Sequence, residues 1–365
     1  MALKVAVVGT NIGSTLHVRS LKAAGWDVTT LVGRDAARTA ERAAHFNIPN
    51  AVTSVEAAID SDIDAIVVAT PPEFHPTMAL AAMKAGKHVL CEKPLALTVS
   101  LAREMRDAAA ASGVVTALQH QQRWRPEYAM LRKQVGQGAF GELLQGSFTF
   151  DVPMTNRPGP LDVPDWWFTS ETGGGWLRNW NSHGIDLVRY MIGEFAAVSG
   201  RVHPDNARGM SADDGYVFAF LLKNGMQGVM TGSCRSWAYD VQTRVLGSDA
   251  TAVIEGVSLY RYDKNGKSVI EADSEVLALL DPGIARDSRP AEGLPPTGEG
   301  VYAEIHAHDG SYIEQTALCA AFKRRILDRS YDNPALATFD DGFAAMQVIE
   351  AVERSQREGK WVELP

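Results

Sequence analysis

Apolar and polar residues in the first 125 positions alternate between two periods. Leu3 to Val8 is a short apolar run, as expected of a strand buried on both faces. A glycine-containing turn follows, then a helical stretch to about Ala24, then a strand over Val28 to Val32 with Asp35 placed to cap the next helix. Ala65 to Ala69 is another buried strand, and Met78, Ala81, Ala82 and Ala85 fall at i, i+3, i+4, i+7, the spacing of one helix face, closed by Gly86. His88 to Cys91 predicts a strand, Ser100 to Ala111 a helix, and Val114 to Leu118 a strand. Strands and helices taking turns imply βαβ units and a parallel sheet covered on both faces.

Near residue 140 the pattern changes. Leu144, Phe148 and Phe150 share one face at period two. Tyr216 to Leu222 and Met226 to Met230 flank Lys223-Asn224-Gly225, a hairpin signal. Gln242 to Leu246 and Thr251 to Glu255 flank a second turn, and Leu259 to Tyr262 runs into Asp263-Lys264-Asn265-Gly266. Repeated hairpins predict an open antiparallel sheet with one face covered and one exposed. Proline-rich loops interrupt the pattern at 153–165 and 281–300, and Ala345, Val348, Ile349 and Val352 predict a final amphipathic helix. The expected fold is therefore α/β plus α+β: a Rossmann-type parallel sheet over 1–125 that binds a dinucleotide, and a larger antiparallel-sheet domain over 126–365 for substrate and subunit contacts.

Composition narrows the functions. The 365 residues carry a net charge of −9 with 45% apolar and 22% charged residues, an ordinary globular balance whose field repels phosphate polymers and anionic lipid. Nucleic acid and membrane are thus not expected as partners. Cys91, Cys234 and Cys319 are widely spaced, with no CxxC, which fits a reduced cytoplasm. The apolar run that follows Met1 to Lys4 stops at Gly9, too short for a signal peptide or a membrane span.

The first turn reads Gly9-Thr10-Asn11-Ile12-Gly13-Ser14. A dinucleotide turn needs glycine where backbone meets pyrophosphate and where helix meets strand. Gly9 and Gly13 are in place, Asn11 replaces the middle glycine and tolerates positive φ, and Ile12 lies within the same turn. About twenty residues on, where an NAD site usually offers a carboxylate to the ribose, the chain has Gly33 followed by Arg34. Arg34 is either a ligand for a 2′-phosphate, which tilts the cofactor from NAD towards NADP, or a solvated surface charge.

Cys91-Glu92-Lys93-Pro94 closes a buried strand at the sheet's carboxyl edge, where ligands bind in such folds. With Ala69-Thr70-Pro71-Pro72 and Gly86-Lys87-His88-Val89 before it, this block resembles the Gfo/Idh/MocA family of NAD(P)-dependent sugar oxidoreductases, and the resemblance extends over essentially the whole chain. It implies that Lys93 contacts both nicotinamide ribose and substrate, that the Lys93–Pro94 bond is cis, as it often is in the family, and that Thr70, Pro71, His75 and Glu92 lie at the cofactor, with His75 alternatively a cap for the next helix. The segment Gly173-Gly174-Gly175-Trp176-Leu177-Arg178-Asn179-Trp180-Asn181-Ser182-His183 resembles the family's active-site helix, in which the residue matching His183 works as acid/base or holds the reacting hydroxyl. The family commonly has Asp where this chain has Asn179, and an amide cannot carry a proton, so Lys93 and His183 remain the acid/base candidates. Asp186 either orients His183, pairs with Arg189 or caps locally. Arg123 either binds substrate or bridges domains, and Trp166, with Trp167, Trp176 and Trp180, either faces a sugar ring or fills core. His306-Ala307-His308-Asp309 has no third placed ligand and predicts no metal.

The expected activity is hydride transfer between NAD(P) and a secondary alcohol or ketone of a sugar, cyclitol or glycoside, a role in carbohydrate metabolism. A lyase or glycosidase that recycles NAD in place, and a non-catalytic NAD(P) sensor, are the alternatives. The unsupported face of a large sheet predicts a homodimer or homotetramer.

Overall fold

A computed structural model describes residues 2–155, 164–204, 210–281 and 311–365. The strands β1 (Lys4–Val8), β2 (Asp27–Val32), β3 (Asn50–Val52), β4 (Ala65–Val68), β5 (His88–Cys91) and β6 (Thr116–Leu118) form a parallel sheet in the order β3-β2-β1-β4-β5-β6. Between them run α1 (Val18–Ala23), α2 (Ala36–His45), α3 (Val55–Ile59), α4 (His75–Lys84) and α5 (Val99–Ser112). Val5 to Val7 and Ala65 to Val68 are wholly buried, because central parallel strands have helices on both faces. Asp35 does cap α2, its carboxylate accepting the Arg38 amide at 2.7 Å. This order reverses direction between β1 and β4, the crevice where dinucleotides bind in doubly wound sheets.

The face of α4 differs from the expected one. His75, Ala79, Ala82 and Met83 are buried, whereas Met78 and Ala81 are only half-buried and Ala85 is exposed. Alanine is apolar on every side of this helix, so hydrophobicity does not fix its rotation; a buried histidine does.

The second set of strands comprises β7 (Leu143–Pro153), β8 (Phe195–Pro204), β9 (Asp213–Leu222), β10 (Gln227–Ser233), β11 (Arg235–Gly247), β12 (Thr251–Glu255), β13 (Ser258–Asp263) and β14 (Gly266–Ile270), with α6 (Pro126–Gly136) before them, α7 (Asn181–Met191) between β7 and β8, and α8 (Ser274–Leu280) after. The chain ends in α9 (Ser311–Leu327), α10 (Phe339–Glu358) and β15 (Val362–Glu363). These nine strands, β15 included, order as β14-β13-β12-β11-β7-β10-β9-β8-β15. The expected hairpins are present, but the sheet is mixed: β10 lies parallel to β7. The chain between those strands passes through α7, and such a crossover delivers a strand in the same direction. Phe148, Phe150, Phe218 and Phe220 are buried on one face, and Ala345, Val348, Ile349 and Val352 are buried on α10. Leu144, at the start of its strand, is 47% exposed rather than part of that core. Val217, Leu221, Trp237 and Tyr239 are exposed apolar positions of this sheet.

Two compact units result, Met1–Gln121 with Asp281–Phe343 and Gln122–Leu280 with Ala344–Pro365. The segment containing α9 joins the first unit because Phe322 stacks on Trp26 at 5.6 Å and the Trp26 indole donates to the Cys319 carbonyl at 2.9 Å. The proline-rich stretches fall largely, and His306-Ala307-His308-Asp309 wholly, outside the described residues. Among the described residues no helix is long and apolar enough to cross a membrane, and no group of three His, Cys, Asp or Glu is placed to hold a metal.

Candidate active site

In the first unit, Gly9 leaves β1 at φ +123°, and a Cβ there would overlap the Ala69 carbonyl at the end of β4. Only glycine fits, for both reasons. Its amide donates to the Val32 carbonyl at 2.9 Å, which brings the end of β2, and with it the exposed Arg34, beside the turn. Asn11 does not adopt positive φ; among the described residues only Asn47 does so without being glycine. The Asn11 carbonyl instead starts the helix, accepting the Ser14 and Thr15 amides at 3.0 Å each. From Gly13 to His17 the helix is wound in a wide π-type turn before α1 begins. The turn, the packed Gly13 and the following helix suit a pyrophosphate. Gly33 lacks room for a side chain, since a Cβ would overlap the Thr10 methyl and the Thr39 hydroxyl.

At the ends of β4 and β5 the expected residues come together. His75 is fully buried, one ring nitrogen facing the Pro94 carbonyl at 3.0 Å and the other the Thr70 carbonyl at 2.9 Å. Burial lowers its pKa, while the two carbonyls and Glu92 act in opposition. This single side chain ties the Thr70-Pro71 turn to the loop after Lys93, and the Lys93–Pro94 peptide is cis. Glu92 is buried, and its Oε2 accepts the Lys93 amide at 3.1 Å. Burial raises the Glu92 pKa, but the hydrogen bond with His17 and the charge and amide of Lys93 outweigh it and leave the carboxyl below its ordinary range. Lys93 is pulled below the ordinary lysine range by burial, with Glu92 opposing. A lysine so placed exchanges protons more readily than an exposed one.

His17 and Gln315 are partners that the sequence patterns did not single out. His17, with no exposure, lies 2.8 Å from Glu92 Oε1, and Gln315 of α9 reaches its other ring nitrogen at 3.1 Å. His17 is one of several buried polar residues of the first helix, with Ser14, Arg19 and Ser20, so its polarity did not single it out; Gln315 likewise gave no signal.

In the second unit, Trp176–Trp180 forms another π-type turn ahead of α7, so Asn179 precedes the regular helix that carries His183. Both are buried. The Trp180 ring meets the His183 ring edge-on at 6.5 Å, and Trp176 stacks on Trp180 at 5.3 Å. Trp167, Trp176 and Trp180 are buried and fill core around this turn; Trp166 is half-buried and edge-on to Trp167 at 5.9 Å. Arg123 grips Asp186 with two nitrogens at 2.7 and 2.5 Å and lies over Tyr190, while Arg189 pairs with Glu194. Asp186 thus pairs with Arg123, both of them buried. Asn181 of α7 accepts the Tyr216 hydroxyl at 2.6 Å, which seats the helix on β9.

Asp213 begins β9 and holds the start of the π-type turn, accepting the Leu177 amide at 2.8 Å. Burial raises its pKa from 3.8 to about 7, against the backbone hydrogen bonds that lower it. A carboxyl with a raised folded-state pKa contributes stability that is complete below its unfolded value and lost as pH rises through its folded value. Urea midpoints measured across pH 4 to 7 should therefore fall more steeply for the native chain than for Asp213→Asn; parallel curves would refute this.

Known families and structures resemble this chain. A profile described as an oxidoreductase family with an NAD-binding Rossmann fold matches residues 3–120, and the GFO/IDH/MocA C-terminal domain matches 128–253. A 1,5-anhydro-D-fructose reductase of Ensifer adhaerens is 31% identical over 212 residues, 57% of this chain and 62% of that protein. A levoglucosan dehydrogenase of Pseudarthrobacter phenanthrenivorans is 26% identical over 363 residues, 89% and 86% of the two chains. A levoglucosan dehydrogenase structure in complex with NADH and levoglucosan shares the fold at a TM-score of 0.82, with 22% identity and full coverage of both chains.

Proposed function

The chain belongs to the Gfo/Idh/MocA oxidoreductase family, and from that premise we propose that it transfers a hydride between NAD(P) and a CH–OH carbon of a sugar, cyclitol or anhydrosugar. The observation that carries this reading is the half-buried lysine at the carboxyl edge of the dinucleotide-type sheet, its pKa lowered and its loop fixed by His75 and Glu92. Relatives that act on anhydrofructose and levoglucosan support a cyclic polyol as the substrate class.

Gly9, Asn11, Ile12 and Gly13 would hold the pyrophosphate, with Thr70, Pro71 and His75 beside the nicotinamide half. The cofactor, when bound, accepts or returns the hydride. Lys93 polarises the oxygen of the reacting carbon, and His183 takes its proton during oxidation and returns it during reduction. Asn179 and Trp166 contact substrate. Arg123 keeps Asp186 in place, and its two nitrogens on that carboxylate favour this over a substrate contact. Oxidation of a panel of cyclic polyols with NAD and NADP tests the reading. Net reduced cofactor with one of them is expected; product release without net reduction would point to in-place recycling, and cofactor binding with no turnover to a sensor.

Arg34, exposed beside the turn, gives NADP a partner for its extra phosphate, and Gly33 offers no carboxylate to the NAD ribose. Arg34→Ala should raise the Kd for NADP more than that for NAD, and equal changes in the two titrations would remove Arg34 from the site. Val217, Leu221, Trp237 and Tyr239 suit subunit pairing through the large sheet, giving a dimer or tetramer. A monomer in light scattering at micromolar concentration would contradict it. Three buried, unpaired cysteines suit the cytoplasm, which fractionation of cells would check.

A further inference from the structure

Behind Lys93 lies a buried polar chain that none of the proposed chemistry uses. It starts at Gln315 on α9, whose amide nitrogen stands 3.1 Å from His17 Nδ1 and also 3.1 Å from Gln119 Oε1. It continues from His17 Nε2 to Glu92 Oε1 at 2.8 Å and from Glu92 Oε2 to the Lys93 amide at 3.1 Å. His17 and Gln315 have no exposure, Gln119 has 1% and Glu92 6%. An amide N–H can only donate, so Nδ1 of His17 accepts and the ring carries its proton on Nε2, directed at the carboxylate. The chain thus has one direction, from the Gln315 amide through the imidazole to Glu92.

We propose that His17 is a positioning residue for the reaction: held by Gln315, it fixes Glu92 as an oriented carboxylate, and Glu92 in turn sets the proton affinity of Lys93. The inference rests on the reading of Lys93 as an acid/base group, and it deepens that reading by naming what tunes the lysine. Glu92 is faced by His17 from the helix after the glycine turn, by His75 from α4, and by Cys91 and Lys93 from its own strand. Both nitrogens of His75 face carbonyls, so its ring is already engaged, and the Cys91 thiol, kept protonated by burial, is only a weak donor; neither matches the His17 N–H as a partner for Glu92. A buried carboxylate deprived of its donor takes up a proton more easily, and the lysine beside it then loses the charge that favours its ammonium form.

The test follows Lys93 directly. The ¹³Cε resonance of Lys93 in lysine-labelled protein, assigned by its loss in Lys93→Arg, is titrated with pH. Glu92→Gln and His17→Asn, the latter too short to reach Glu92 but able to meet Gln315, should each move the Lys93 titration to lower pH by about one unit or more. His17→Gln, which retains an amide N–H within reach of Glu92, should restore the native titration. A purely structural role for His17 would lower stability without moving this resonance. An unchanged or upward-shifted titration in folded Glu92→Gln or His17→Asn overturns the inference. The pH dependence of kcat/KM in the same variants separates the two readings: if the Lys93 titration moves and the kinetic limb does not, the tuning stands and the acid/base role of Lys93 falls.

Discussion

Lys93→Ala and His183→Ala should each lower kcat by about 10²-fold or more, the usual range for losing a positioned acid or base. In the proposed reaction Lys93 would polarise the oxygen on the carbon that exchanges hydride and His183 would move the proton, so neither loss would be made good by the other residue. Cofactor affinity should change less in His183→Ala, because the proposed reaction assigns this side chain to substrate rather than nucleotide. Asn179→Asp is the informative third variant. A carboxylate four residues before His183 stabilises imidazolium, so the pH–rate profile for oxidation should move to higher pH. An unmoved profile places Asn179 outside the reaction, and full activity of His183→Ala on the true substrate removes the core of the mechanism.

Asp186→Ala should destabilise the fold by about 3–5 kcal/mol, because it strands the Arg123 guanidinium in the interior. Arg123→Ala should cost a similar amount, about 3–5 kcal/mol, by stranding the carboxylate. Replacing both with apolar residues of similar volume should recover most of the loss, since the pair itself offsets a large desolvation cost. Urea unfolding of the two single variants and the double variant measures this. Single variants as stable as the native chain would show that water or other groups satisfy the partner left behind.

Most of the parallel half was legible because its strands are apolar blocks between turn signals, and His88–Cys91 appears with the very limits the pattern implies, but the short, largely exposed edge strand β3 carried no such signal and was missed. The hairpins were legible for the same local reason. What the pattern missed is non-local. The parallel pairing of β7 with β10 joins strands separated by a helix and two other strands, and no short-range signal specifies such a neighbour. The rotation of α4 followed from a buried histidine that a hydrophobic criterion excludes. In the site, Lys93, Glu92 and His183 belonged to recognisable blocks, but His17 and Gln315 are polar residues 298 positions apart whose value arises only when they meet. Asp213 likewise reveals itself only through the amide it accepts.

The crowding around Gly33 bears on how cofactor choice could be re-engineered. The obvious route to NAD selectivity, an acidic residue at the end of β2, meets the Thr10 methyl and the Thr39 hydroxyl, and Thr39 is itself hydrogen-bonded to the Asp35 carbonyl at 2.5 Å. If Arg34 and Gly33 set the cofactor preference as proposed, changing it would involve three positions at once, 10, 33 and 39. Gly33→Asp alone should yield a damaged turn rather than a switched enzyme, whereas the same change with smaller residues at 10 and 39 should tolerate the carboxylate; a well-folded, NAD-selective Gly33→Asp single variant would show that the turn yields more easily than its packing indicates. Along an evolutionary path, specificity in this chain would then change by coordinated steps, with the threonines opening space before the acid arrives.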